Sequence, residues 1–195
     1  MRFHFKFLAP VVAVAAAACF TANAQTPDYK NVGRTPTAQE IQAMDIAVST
    51  TGQELPPGSG NAKTGARLFQ EKCAACHGES QEGSAQAPAL VGGKGTLTSL
   101  HPKMTVGSYW PYATTVFDYI RRAMPRYQEG SLKPDEIYSL TAFILFRNEI
   151  IKEDDVMDAA SLPKIKMPNR DGFIPQNTDE IHDWKKRGCK LGHCP

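Results

Sequence analysis

Apolar residues recur three and four positions apart in three stretches of the chain, and each stretch predicts a helix. The first runs over 61–76, where Ala62, Ala66 and Phe69, with Gly65, Leu68 and Cys73 beside them, form one stripe. Gly65 inside that stripe weakens the helix and needs a reason, for which close approach of a second helix is the natural one. The second runs from Thr114 to Met124 and stops there, because a residue before proline, here Pro125, resists the α region. The third, 134–151, carries the fullest set of signals. Lys133 is its cap, Pro134 takes the first position, Asp135 and Glu136 fill the first turn, and Leu132 faces Ile137 as a hydrophobic staple. Ile137, Leu140, Phe143 and Ile144 form its buried stripe. No strand and no internal repeat stands out, so the expected class is all-α.

The stretches between these helices read differently. Residues 25–60 look like an N-terminal extension, punctuated by proline and glycine and closed by a linker-like Pro-Pro-Gly-Ser-Gly at 56–60. A short helix is expected inside it, with a capping box at Thr37–Glu40 and with Ile41 and Met44 facing inward. Residues 79–108 are a glycine-rich loop, too long for a compact domain unless it wraps something. Residues 152–195 read as an extended tail draped on the core, with a helical turn near 178–186.

The first 24 residues stand apart. Arg2 and Lys6 precede an alanine-rich apolar run, Leu8 to Phe20, and Ala22-Asn23-Ala24 is a cleavage site of A-x-A type. The expectation is a secretory signal removed before Gln25, which places the mature protein in the periplasm with no membrane span. An uncleaved anchor and a lipid on Cys19 are the alternatives. Arg2 and Lys6 are two of 22 basic side chains set against 20 acidic ones, so the chain without them is neutral. Neither nucleic acid nor an acidic membrane surface is expected as a partner on grounds of charge.

Four cysteines remain after Cys19: Cys73, Cys76, Cys189 and Cys194. Cys73-Ala-Ala-Cys76-His77 has the spacing by which two thiols add across the vinyl groups of one porphyrin and the following histidine ligates the iron. A redox dithiol would need a βαβ context, a zinc site two further ligands, and a plain disulfide would not use His77. Met124 is the first choice for the second axial ligand, with His101 and Met104 in reserve. The carbonyl of Pro88 is placed to accept the ring N–H of His77, or Pro88 is an ordinary loop proline. Trp110 and Tyr112, within Ser-Tyr-Trp-Pro-Tyr at 108–112, suit a wall around the haem propionates and equally suit ordinary packing. Arg121, Arg122 and Arg126 flank Met124 as a basic docking face or as a solvated one. Cys189 and Cys194 are expected to form a disulfide in an exported protein.

Taken in order, Gly65, Phe69, Cys73 to His77, Pro88-Ala89-Leu90, Met124-Pro125 and the closing helix resemble a class I c-type cytochrome. That resemblance implies one covalent haem c in an all-α fold whose first and last helices cross at Gly65, the cytochrome domain spanning 61–151. The flanking stretches Leu55 to Gly60, Gly95 to Thr98, Val106 to Tyr112 and Met167 to Phe173 resemble the SoxD-like cytochrome subunit of sulfane dehydrogenase. It departs from the better-known members in having one C-x-x-C-H motif, where they carry a second haem domain. The resemblance implies an electron-transfer subunit, not a complete enzyme. It would accept electrons from a molybdenum dehydrogenase subunit, SoxC-like or of a sulfite dehydrogenase, and pass them to other c-type cytochromes. A free electron shuttle between a respiratory complex and a terminal oxidase is the alternative.

Overall fold

The structure, a computed structural model, describes residues 32–173. The leader with Cys19, the Cys189–Cys194 pair and the helical turn expected near 178–186 lie outside those residues. The described residues fall into two units divided between Gln42 and Ala43.

The first unit holds most of helix α1, Ala38–Met44. Its capping box is present: Thr37 Oγ1 accepts the Glu40 N–H at 3.2 Å, and Glu40 Oε2 accepts the Thr37 N–H at 2.8 Å. The inward stripe expected there is not. No residue of α1 is buried, and Ile41 and Met44 are 52% and 84% exposed. Local capping suffices to end a helix of seven residues, and burial does not follow from it.

In the second unit the three periodic stretches become helices, the first broken at Cys73 and the last ending at Arg147 where 151 was expected. They are α2, Ala62–Lys72, continued after a break at Cys73 by the single turn α3, Ala74–His77; α5, Ala113–Ala123; and α6, Pro134–Arg147. A further short helix, α4, Val106–Tyr109, punctuates the long loop. The all-α expectation holds with one addition. Strand β1, Ser59–Asn61, pairs antiparallel with β2, Val156–Asp158, putting Gly60 opposite Met157. Three-residue strands carry no periodicity to read, so only the fold reveals them.

The core is built around α6. Its residues Ile137, Tyr138, Leu140, Ala142, Phe143, Ile144 and Leu145 are buried together with Phe69 of α2 and Val116, Phe117 and Ile120 of α5. Phe69 meets Phe143 at 5.6 Å and Phe117 meets Tyr138 at 4.5 Å between ring centroids. Gly65 is the crossing point of α2 and α6: a Cβ there would lie 1.9 Å from the Ser139 carbonyl oxygen and 2.7 Å from Phe143 Cβ. The staple residues Leu132 and Ile137 are both buried, and Glu136 Oε2 accepts the Lys133 N–H at 2.8 Å.

Both flanks contribute to this core, which the reading of 25–60 as an extension did not anticipate. Val48 and Leu55 are buried ahead of β1, and Met157, Leu162 and Met167 are buried behind α6. The stretch read as a linker is fastened: the Tyr138 hydroxyl donates to the Pro56 carbonyl at 2.9 Å, and the Ser59 N–H donates to Asp135 Oδ1 at 2.7 Å. Burial, with the charge of Asp158 adding, pushes the Tyr138 phenol up to about 12, so it stays a neutral donor.

Asp118 on α5 ties the leading flank down. It accepts the Val48 N–H at 2.8 Å and is forked by Arg122, whose Nε lies 2.9 Å from Oδ1. Burial alone would raise its pKa. The Arg122 bond, the Val48 N–H and the charges of Arg122 and Arg121 outweigh that and hold it below the usual carboxylate range. A depressed folded pKa contributes stability that is complete above the unfolded value of about 3.9 and is lost as pH falls through the folded value. Asp118→Asn is therefore expected to lower stability by about 2 kcal/mol at pH 7, the scale of lost charge-assisted hydrogen bonds. The gap to wild type should narrow once pH falls below the unfolded value, as the native carboxyl loses its charge too. Urea midpoints at pH 7 and in acid check this, and a gap independent of pH would show that the charge is not what matters.

Candidate haem site

The motif Cys73 to His77 sits on the joint between α2 and α3. The Cys73 N–H closes α2 on the Phe69 carbonyl at 2.9 Å, and its own carbonyl accepts the N–H groups of Cys76 at 3.1 Å and His77 at 3.0 Å. One residue thus ends one helix and starts the next turn, which brings both thiols and the imidazole onto a single short element. Both thiols are free, Cys73 half-buried and Cys76 exposed. Burial pushes the Cys73 thiol up to about 11, the charge of Lys72 opposing and Cys76 adding. A redox dithiol of the C-x-x-C kind works through a lowered thiol pKa, and burial moves Cys73 the other way.

His77 Nδ1 lies 3.0 Å from the Pro88 carbonyl oxygen. A carbonyl has no proton to give, so Nδ1 carries a hydrogen, and the neutral imidazole then has its lone pair on Nε2. A neutral imidazole in that tautomer is the form that ligates a metal.

The loop that delivers Pro88 is knotted to the motif by its own backbone. The Gly83 N–H donates to the His77 carbonyl at 2.8 Å, the Ser84 N–H to Ala87 at 2.8 Å, and the Leu90 N–H to Gln81 at 3.0 Å. The Ser84 hydroxyl donates to the Cys76 carbonyl. Asn148, just past α6, holds the far end: its Nδ2 donates to the Leu90 carbonyl at 3.1 Å and to Ile144 at 2.9 Å. Sequence reasoning singled out neither Ser84 nor Asn148. An asparagine at a helix end reads as a cap, and only its long-range bond to Leu90 marks it as a support of this loop.

Five methionines follow the leader, and burial separates them. Met44 and Met104 stand 84% and 59% exposed, while Met157 and Met167 are closed into the core at 3% and 1%. Met124 alone of the five is partly open and packed on the core. It ends α5 in extended conformation, its N–H on the Ile120 carbonyl at 3.1 Å, with Pro125 after it. His101, the other reserve ligand, is exposed.

Leu68, Cys73, Ala74, Leu90 and Trp110 are likewise partly buried against the core. Trp110 stands edge-on to Tyr119 at 5.6 Å, and Tyr112 lies under the guanidinium of Arg170 at 3.9 Å. Of the three arginines read as a docking or a solvated face, one has its charge paired within the chain. Arg121 donates to the Ile46 carbonyl at 2.9 Å and Arg122 pairs with Asp118, leaving Arg126 over the exposed ring of Tyr127. Among the described residues no group of three His, Cys, Asp or Glu side chains is placed to hold a metal ion on its own. Two free thiols, a histidine in the ligating tautomer and half-open apolar side chains on the core fit a covalently held haem.

Residues 62–146 match the cytochrome c family model. In the crystal structure of the sulfane dehydrogenase SoxCD from Paracoccus pantotrophus, a chain is 40% identical, with a TM-score of 0.73 over 85% of this chain and 82% of that one. This chain is a class I c-type cytochrome. The cytochrome carries covalently bound haem c and transfers electrons, and it resembles the SoxD cytochrome subunit. Cytochrome cL from Hyphomicrobium denitrificans is also similar, at 20% identity over 83% of each chain and a TM-score of 0.31. No curated protein matches the cytochrome. Among its described residues no helix is long and apolar enough to cross a membrane.

Proposed function

We propose that this cytochrome is the periplasmic, single-haem subunit that takes electrons from a molybdenum-containing dehydrogenase of sulfur compounds, of the sulfane or sulfite kind, and passes them to other c-type cytochromes. One observation carries the reading. The likeness to a chain of the SoxCD sulfane dehydrogenase, at 40% identity and a TM-score of 0.73, extends over 85% of this chain, far past the family domain at 62–146, so it includes the flanks as well as the domain. The signal-like leader and the need to tether a cofactor outside the cytoplasm support the location.

Cys73 and Cys76 would hold the porphyrin by thioethers, with His77 Nε2 and the Met124 sulfur on the iron. Bound haem supplies a one-electron ferric/ferrous couple. The residues around it do the rest. Pro88 fixes the ring plane and tautomer of His77 and raises its basicity. The loop bonds from Ser84, Gly83 and Asn148 keep Pro88 in place. Leu68, Leu90 and Trp110 limit water. A methionine ligand favours the ferrous state relative to a second histidine, which suits an electron acceptor.

Affinity capture of the tagged protein from the periplasm of sulfur-grown cells, read by mass spectrometry, tests the assignment. A stoichiometric molybdenum subunit, together with reduction of the haem when that complex meets its sulfur substrate, is the expected result. Haem-loaded protein recovered without such a subunit would make it a free shuttle between a respiratory complex and an oxidase.

A further inference from the structure

Residues 165–173 lie beyond the family-matched region, yet they are latched to the aromatic segment that leads into α5. Met167, 1% exposed, anchors this strap in the core. Lys166 bridges to Tyr112, Asn169 Nδ2 donates to the Tyr109 carbonyl at 2.7 Å, and Phe173 meets Tyr109 edge-on at 5.2 Å. Arg170 stacks its guanidinium 3.9 Å over the Tyr112 ring and points Nη1 at the Pro111 carbonyl, 3.4 Å away. These contacts fall on both sides of Trp110 in sequence and none falls on Trp110 itself. The strap brackets that residue and leaves its indole facing Tyr119. Among the described residues Arg170 pairs with no carboxylate, so the stack is its main engagement.

We infer that Arg170 is a positioning residue for the haem site: by stacking on Tyr112 and holding Pro111 it fixes Trp110, and through Trp110 it sets how far water reaches the haem. The inference rests on the proposed reading that Trp110 and Tyr112 wall the haem. Its physical basis is that the ferric state carries the larger charge and is favoured by water, so a loosened wall lowers the reduction potential. A planar guanidinium can lie flat on a ring while reaching a carbonyl, which a lysine ammonium cannot reproduce.

The test is potentiometric titration of the holoprotein and its variants. Arg170→Ala is expected to raise the ferric-to-ferrous ratio at a fixed applied potential by roughly tenfold, the sign set by the greater reach of water. Arg170→Lys should behave like Arg170→Ala, and a wild-type potential in the lysine variant would overturn the inference by showing that charge alone matters. Tyr112→Leu should give the same shift by itself, and combining it with Arg170→Ala should add little, because both remove one stack. Fully additive shifts, or no shift in either single variant, would overturn it. If Arg170→Ala does not fold, the lysine variant and Tyr112→Leu carry the same comparison. The haem site reading fails separately, through wild-type protein that lacks covalent haem or binds carbon monoxide in the ferrous form. An unmoved potential in variants with wild-type haem spectra sinks only the role of Arg170.

Discussion

Met124→Ala is expected to leave the haem attached but to open its sixth position. The thioethers from Cys73 and Cys76 do not depend on α5, so covalent haem should persist in full. Carbon monoxide should then bind the ferrous protein at neutral pH, which the wild type should refuse. The reduction potential should fall by on the order of 0.1 V, within the ~0.8 V that axial ligands span. Burial supports this choice of residue. Two of the five methionines are shut into the core, two stand in solvent, and Met124 is half open where α5 ends. The visible spectrum and a redox titration suffice. A variant with an unchanged spectrum and no affinity for carbon monoxide would remove Met124 from the iron.

Gly65→Ala should be a costly methyl to add. In an isolated helix the change would help by about 1 kcal/mol. Here the new Cβ would lie 1.9 Å from the Ser139 carbonyl oxygen and 2.7 Å from Phe143 Cβ. Both neighbours are backbone or next to it, so no flexible side chain can swing aside. Relief requires α2 and α6 to move apart, which also opens the Phe69–Phe143 contact. Overpacking of a core costs about 1–3 kcal/mol, and a clash with backbone belongs at the top of that range or above it. A net loss of about 3 kcal/mol is expected, a large share of the ~5–15 kcal/mol that a domain has in total. Urea unfolding of the holoprotein measures it. A midpoint equal to or above wild type would mean that the helices are not in contact at Gly65.

What could be read in the sequence was what neighbours in the chain decide. Cys73, Cys76 and His77 share one turn, Pro125 stops α5, and Pro134 with Asp135 and Glu136 starts α6, all within a few residues. Gly65 was legible as an anomaly, because a glycine amid an apolar stripe asks for a close neighbour. The rest was set by residues far apart. Asn148 reaches Leu90, Arg121 reaches Ile46 and Asp118 reaches Val48, and no local spacing signals any of these bonds. The same limit explains α1, where a sound capping box was over-read as evidence of an inward face. Arg122 is a different case, for its partner Asp118 stands one turn back on the same helix.

The β1–β2 ladder bears on the order of events during folding. It joins residue 60 to residue 157, and the α2–α6 crossing joins 65 to 139. Contacts so distant along the chain close late, because the intervening segment must be gathered first. An unfolded chain therefore offers its two thiols and His77 on one local turn before the distant contacts close, and the flank with Met157 and Met167 shuts the core late. The window for loading the cofactor is then timed by folding: it narrows as the trailing flank docks.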